Sequence, residues 1–233
     1  MFGKIAKYFT RVELILFFVS YLLIIFSFIL SPKDGFLSLL ASLIGVPALI
    51  LCAKGNPIGQ GLIILFSTLY GIISYGVGYY GEMITYLGMS MPMAVLSLIT
   101  WIRNPYGEGH SEVRVGKLRK GEVPFMILLT LAVTIIFYFI LGALGTSNLW
   151  ISTFSVTTSF GAVYLTFRRS PYYAVLYAAN DLVLIIMWII AAFTDISYLS
   201  VVVCFAVFMA NDIYGFAAWR RREISQSCGN GGK

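Results

Sequence analysis

The chain has 233 residues, of which 59% are hydrophobic and 11% charged, against about 25% charged in an ordinary soluble domain. A soluble fold of this length has no room to bury so much apolar surface, so long apolar stretches broken by short polar ones read as membrane spans. The net charge of +6 sits in short basic clusters between the apolar runs, with no basic helix face and no nucleic-acid motif, which excludes a nucleic-acid partner.

In chain order, Lys4, Lys7 and Arg11 precede an apolar run over 12–30. A secretory signal has the same outline. This run is long enough to span, however, and Ser27, Phe28, Ile29 and Leu30 offer no small-x-small cleavage site, so it reads as an uncleaved first span. Ser31, Pro32, Lys33, Asp34 and Gly35 end it as a turn. Seven further runs follow, over 36–53, 58–79, 82–102, 123–144, 149–167, 171–193 and 197–219, each near the roughly 20 residues that cross hydrocarbon. Turns at Lys54, Gly55, Asn56 and Pro57 and at Arg168, Arg169, Ser170 and Pro171 separate some of them; those at Tyr80–Gly81 and at Thr194, Asp195 and Ile196 are very short. Pro92, mid-span, frees backbone carbonyls and permits a kink.

This count predicts an all-α integral membrane protein with eight transmembrane helices, and the basic residues test it, because each added or lost span flips every later loop. With the N-terminus inside, fifteen of the sixteen basic residues fall on the cytoplasmic side and Lys33 alone falls outside. The chain is therefore expected in the cell inner membrane, partnered by the lipid bilayer, with both termini cytoplasmic. The mixed-charge loop over 103–122 admits two readings, a regulatory or partner-binding segment and a solvated tether between two halves. His110 reads as a solvated loop residue. Cys52, Cys204 and Cys228 have no metal spacing and form no disulfide framework, and the end of the chain from Cys228 reads as a disordered tail.

Spans two to four and six to eight resemble each other. Asn56–Pro57 opens one long span and Ser170–Pro171 another; each is followed by an outer turn with an acid, Glu82 or Asp195, and by a span ending in Trp and Arg, at Trp101 and Arg103 or at Trp219 and Arg220. One span between the units makes the repeat parallel, a recurrent transporter plan with the substrate site near the midplane between units. The predicted organisation is an N-terminal extra span (1–35), a first three-helix unit (36–104), a cytoplasmic loop and linking helix (105–148), a second three-helix unit (149–222) and a tail (223–233).

Charges inside spans are costly and mark candidate sites. Asn180–Asp181 and Asn211–Asp212 lie on the order of 11–15 Å deep at 1.5 Å per residue, on neighbouring antiparallel spans. Tyr177, Asp181, Leu184 and Trp188 share one helix face, as do Phe205, Phe208, Asp212 and Gly215. Aromatic rings alternating with amides and carboxylates suit a flat, polar, partly cationic ligand; the same groups also serve as glue between helices. In the first unit Phe66 aligns with Asn180, and the polar candidates are Ser67, Tyr70 and Ser74, then Tyr86, Ser90 and Ser97. Glu82 and Asp195, near the outer face, are either solvated or attract cations. Trp101, Trp150 and Trp219 read as interface anchors.

Three segments carry a family resemblance: Tyr79-Tyr80-Gly81-Glu82-Met83-Ile84-Thr85-Tyr86-Leu87-Gly88, then Leu98-Ile99-Thr100-Trp101-Ile102-Arg103-Asn104-Pro105, and Asn211-Asp212-Ile213-Tyr214-Gly215-Phe216-Ala217-Ala218-Trp219-Arg220-Arg221. With them the chain resembles the PnuC family of bacterial vitamin transporters. The resemblance implies a SWEET-like 3+1+3 parallel repeat with an extra N-terminal span. It also implies facilitated diffusion of nicotinamide riboside, association into homotrimers, and no catalytic residue, cofactor or metal. Its binding region maps onto Asn180 and Asn211, with Trp188 nearby. Phe66 departs from the family's polar partner and leaves thiamine and riboflavin, carried by relatives, as alternatives. From other classes, a channel-like or non-transporting scaffold stays open, whereas an enzyme finds no nucleophile–base pair, metal cluster or lipid-phosphate motif.

Overall fold

The computed structural model describes residues 8–30, 36–77, 80–107, 111–146 and 148–229. The turn expected at 31–35 with Lys33, and also Lys4, Lys7, Tyr79, His110 and Lys233, lie outside them. The described residues are helical apart from short connections and one isolated antiparallel bridge between Pro105 and Val113. The long helices are α1 (Arg11–Leu30), α2 (Phe36–Ala53), α3 (Pro57–Val77), α4 (Tyr80–Ile102), α5 (Glu122–Ala143), α6 (Leu149–Phe167), α7 (Tyr173–Ala192) and α8 (Leu199–Gly229). All but α6 are long and apolar enough to cross a membrane. In α6 the apolar run is interrupted by Ser152, Thr153, Ser155, Thr157, Thr158, Ser159 and Thr166. Much of that polarity is hidden, because Thr153, Thr157 and Thr166 return their hydroxyls to the carbonyls of Leu149, Thr153 and Ala162 at 2.7–2.9 Å.

The helices close a ring. α2 packs on α3, α3 on α4, α4 on α6, α6 on α7, α7 on α8, and α8 returns to α2. Two helices lie outside it: α1 against α2 and α8, and α5 against α6 and the start of α4. The outer helices bury little of themselves, only Leu141 in α5, and present leucine, isoleucine and phenylalanine outward, as lipid contact requires.

Polar bonds dock α1. Thr10 and Glu13 form a reciprocal capping box, 2.7 and 3.2 Å. Glu13 is buried and pairs with Lys54 at the end of α2, 3.2 Å, and accepts from the Tyr214 hydroxyl on α8, 3.1 Å. Pro47, inside α2, has no N–H to give the carbonyl of Leu43; the Tyr21 hydroxyl of α1 takes that place at 2.8 Å. α5 docks in a matching way, with Glu122 at its start accepting from Arg168 at the end of α6, 2.9 Å, and from Tyr164, 3.3 Å.

The ends of α2 and α6 are built alike. Gly55 and Arg169 adopt φ of 68° and 58°, and both turns carry the paired backbone bonds of a Schellman cap: Asn56 to Leu51 and Gly55 to Cys52, Ser170 to Leu165 and Arg169 to Thr166, 2.8–3.0 Å. The central loop runs across both. Val113 donates to the Gly55 carbonyl and Gly116 to the Arg169 carbonyl, each at 2.9 Å. From α8, Gln226 bonds the backbone of Val113 and Val115, and Arg222 reaches Glu112 and the Ala53 carbonyl. The loop is therefore a strap packed on the bundle rather than a solvated tether, with Val113 fully buried. Of the expected tail, Cys228 and Gly229 close the α8 helix, whose last turns hold the strap, and residues 230–233 lie outside the described ones. Beside the strap, burial and then the charges of Arg168 and Arg114 lower the pKa of the Arg169 guanidinium.

α4 is not uniform. Between Tyr80–Ile84 and Met91–Ile102 it widens into a π-helical segment, Thr85–Ser90, and Pro92 sits in the first turn of the α-helix that resumes. The expected break at Pro92 is thus absorbed by a π-turn, the form such interruptions take at functional sites.

A Cβ at Gly116 would lie 2.0 Å from the Arg168 carbonyl oxygen. Gly116→Ala is expected to lift the strap, costing about 1–3 kcal/mol and exposing the backbone between Arg114 and Lys120 to trypsin; unchanged stability and unchanged proteolysis would show that the strap is not held there.

Candidate functional site

Inside the ring lies a cavity of about 80 Å³. α7 contributes Tyr173, Tyr177, Asn180 and Asp181; α8 contributes Phe205, Phe208 and Asp212; α3 contributes Gln60, Phe66 and Ser67; α4 contributes Tyr86 and Ser90. The i, i+4 spacing read from α7 and α8 thus brings Tyr177, Asp181, Phe205, Phe208 and Asp212 to one space. The carboxyl groups of Asp181 and Asp212 interact across it, while Asp181 Oδ2 is buried without a partner. Asn180 Oδ1 accepts from Ser155 and Thr158 of α6, both at 2.9 Å. These bonds hold the amide in the wall of the cavity.

Phe66 and Ser67 occupy in α3 the register that Asn180 and Asp181 occupy in α7, and all four line this cavity. One wall is therefore carboxylate and amide, the other aromatic and hydroxyl. Gly45 of α2 makes the close fit possible: a Cβ there would meet the Phe208 ring at 2.3 Å.

The predicted residues do not all meet here. Asn211 turns to α1, donating to Ser20 at 3.1 Å and to the Val207 carbonyl at 2.8 Å, and does not line the cavity. Tyr70 and Trp188 line a second cavity of about 110 Å³ farther out, together with Glu82. Between the two stands an aromatic layer. Tyr70 and Tyr86 lie 4.5 Å apart by ring centroids, Phe66 and Phe208 5.7 Å, Phe205 and Phe208 6.0 Å. Sequence reasoning passed over Gln60, Tyr173 and Ser159. Tyr173 was open to it, one helical turn before Tyr177 on the same face; Gln60 and Ser159 were not, because only the packing of α3 and α6 aims them inward.

The end of the ring beside the strap is closed by tryptophan. Trp101 and Trp219 are 0% exposed, with ring centroids 5.3 Å apart. Trp101 donates to the Thr166 carbonyl at 3.0 Å and Trp219 to the Cys52 carbonyl at 2.8 Å. Both acceptors are last-turn carbonyls of α6 and α2 that already hold one backbone bond of their Schellman turns, so the indole takes the second acceptor position. The reading of these two as interface anchors is thus corrected: each ties the third helix of one unit to the first helix of the other. Trp150, 75% exposed, is free to serve as an anchor. Tyr173 packs edge-on against Trp219 at 5.2 Å, and Val113 of the strap joins the same cluster.

Residues 35–221 match the family model described as nicotinamide mononucleotide transporter. The chain belongs to this family. Its resemblance to PnuC proteins holds over nearly its whole length. It is 23% identical over 217 residues to the nicotinamide riboside transporter PnuC of Haemophilus influenzae, covering 92% of this chain and 91% of that protein. It shares its fold with the crystal structure of the vitamin B3 transporter PnuC, at 20% identity, a TM-score of 0.80 and 94% coverage of both chains. Family membership and the apolar helices together make the chain a multi-pass membrane protein of a transporter family.

Trp101→Phe and Trp219→Phe each remove one hydrogen bond to a buried carbonyl and shrink a fully buried ring, an expected loss of about 1–3 kcal/mol in unfolding from mixed micelles. Trp150→Phe is expected to stay within about 0.5 kcal/mol of the parent. Equal behaviour of all three would contradict the cross-unit role.

Proposed function

We propose that the chain is a vitamin-uptake transporter that carries nicotinamide riboside across the cell inner membrane by facilitated diffusion and alternating access. The observation that carries this reading is the pair Asp181 and Asp212 in one aromatic-walled cavity at the centre of the ring, with Asp181 Oδ2 buried and unpartnered. Two carboxyls facing each other in so dry a space hold either a proton between them or a cation beside them, since both cannot stay ionised alone. A pyridinium ring is flat, permanently cationic and polar at its carboxamide. It matches a wall of carboxylate and amide facing a wall of Phe66, Phe205 and Phe208. The names borne by the relatives point to the same substrate class.

No covalent chemistry is needed. An inside-negative potential favours entry of such a cation by about 2.3 kcal/mol per 100 mV. Aromatic layers stand on the outer side of the cavity and indole pairs on the inner side. A channel holds its path open; a path closed by packed rings on two sides favours alternating exposure.

The eight-span topology with both ends cytoplasmic draws support from the clustering of Lys54, Arg114, Arg168, Arg169 and Arg222 around one strap, at one end of the ring. The parallel repeat draws support from the two identical turns and from the two reciprocal Trp–carbonyl bonds. The paired acids extend it: Glu13 meets Lys54 as Glu122 meets Arg168, so α1 stands to α2 as α5 stands to α6. On this reading the N-terminal helix is the counterpart of the linking helix.

Calorimetry on the purified protein should find saturable binding of nicotinamide riboside, and none of thiamine, riboflavin or the phosphorylated mononucleotide. Binding of a different vitamin instead would keep the mechanism and replace the substrate. Asp181→Asn is expected to weaken the riboside by about 2 kcal/mol or more and a neutral analogue far less. Equal weakening of both would remove the counter-charge role.

A further inference from the structure

Glu82 is the acid that neither the central cavity nor the docking of α1 and α5 uses. It lies in the first turn of α4, and its Oε2 is buried without a partner. Tyr70 hydrogen-bonds its carboxyl. Glu82 lines three cavities. One, of about 340 Å³, is bounded by the start of α4, the α5–α6 connection and the end of α7, with Trp188 and Ser152 in its wall. The second, of about 110 Å³, is the outer cavity described above. The third, of about 30 Å³, shares Ser152 and Met187 with the first and Tyr86, Ser159 and Asn180 with the central cavity. The shared residues trace one route from the first cavity to the aspartates, with Tyr86 of the π-turn lining both the third cavity and the central one. Among the described residues, no lysine or arginine lines any of these cavities.

Size assigns the order of events along this route. Small-molecule sites run from about 300 to 1,000 Å³, and the first of these cavities, of about 340 Å³, has that room while the central one does not. We propose that Glu82 and Trp188 form an outer station that takes an aromatic quaternary cation before the ring opens to admit it past Tyr86. This rests on the transport reading above and adds a second carboxylate, with a face of indole to stack on, to the path it requires.

The probes are 1-methylnicotinamide, a pyridinium cation, and neutral nicotinamide, each titrated against the tryptophan emission of the full chain in lipid nanodiscs. The Trp188→Phe protein sets the background from the other tryptophans. Glu82→Gln keeps the size of the side chain and its bond to Tyr70, and is expected to weaken quenching of Trp188 by the cation about tenfold or more, leaving nicotinamide unchanged. Glu82→Asp should recover part of the loss, and Asp181→Asn should leave this step intact. Cation quenching of Trp188 that survives Glu82→Gln, or that falls equally in Asp181→Asn, overturns the station. Riboside uptake into proteoliposomes by the parent protein is scored separately. Its absence beside Glu82-dependent quenching sinks the transport reading and leaves the station standing; normal uptake beside charge-independent quenching does the reverse.

Discussion

The hydrocarbon core of a bilayer supplies no water, so every polar group carried into it must find its partner within the protein. The architecture follows from that constraint. Pro47 leaves the Leu43 carbonyl bare and Tyr21 of α1 fills it, which gives the outermost helix a fixed register on α2. The Cys52 and Thr166 carbonyls, in the last turns of α2 and α6, take a second donor beside their turn's own N–H, the indoles of Trp219 and Trp101. The threonines of α6 bond their own helix, which lets so polar a segment sit within the ring. Against this thorough pairing, the unpartnered oxygens of Asp181 and Glu82 stand out because both face cavities. Asn211 Oδ1 and Ser97 Oγ are buried without partners too; nothing in the structure explains them.

Several contacts of the frame occur in two matching copies, and those of the site do not. The turns after α2 and α6, the Trp–carbonyl bonds and the Glu–Lys and Glu–Arg pairs match one for one. At the cavity the correspondence breaks: Phe66 and Ser67 stand opposite Asn180 and Asp181 in equivalent positions. A symmetric pair of acidic walls would gather four polar groups and two charges around a ligand with one cationic face. Placing rings on one side and acids on the other lets a flat cation stack and pair at once. In the proposed mechanism the frame supplies two units that move against each other, and the difference between them supplies recognition.

The strap gives that movement a mechanical limit. Its backbone is bonded to both inner turns and to the far end of α8, so the two units cannot separate at this end without breaking those bonds. Each is a single hydrogen bond, worth about 0.5–1.5 kcal/mol, and together they hold the strap on the bundle.

The sequence alone determined the membrane class, the succession of helices, the gathering of basic residues between them and the helix faces of α7 and α8. Hydropathy, charge asymmetry and a 3.6-residue period are local properties that need no knowledge of neighbours. It also pointed to Asp181, Asp212, Tyr177, Asn180 and Tyr86, because buried charge is costly wherever the helix goes and a face repeats along its own axis. Only the tertiary structure decided that Asn211 turns to Ser20, that Trp101 and Trp219 are buried ties and not interface anchors, that the loop over 103–122 is a strap, and that Glu82 sits where three cavities meet. Each of these depends on which helix lies against which. That is set by contacts between residues far apart in the chain, such as Trp219 with Cys52 and Gly116 with Arg169, for which no local pattern carries a signal.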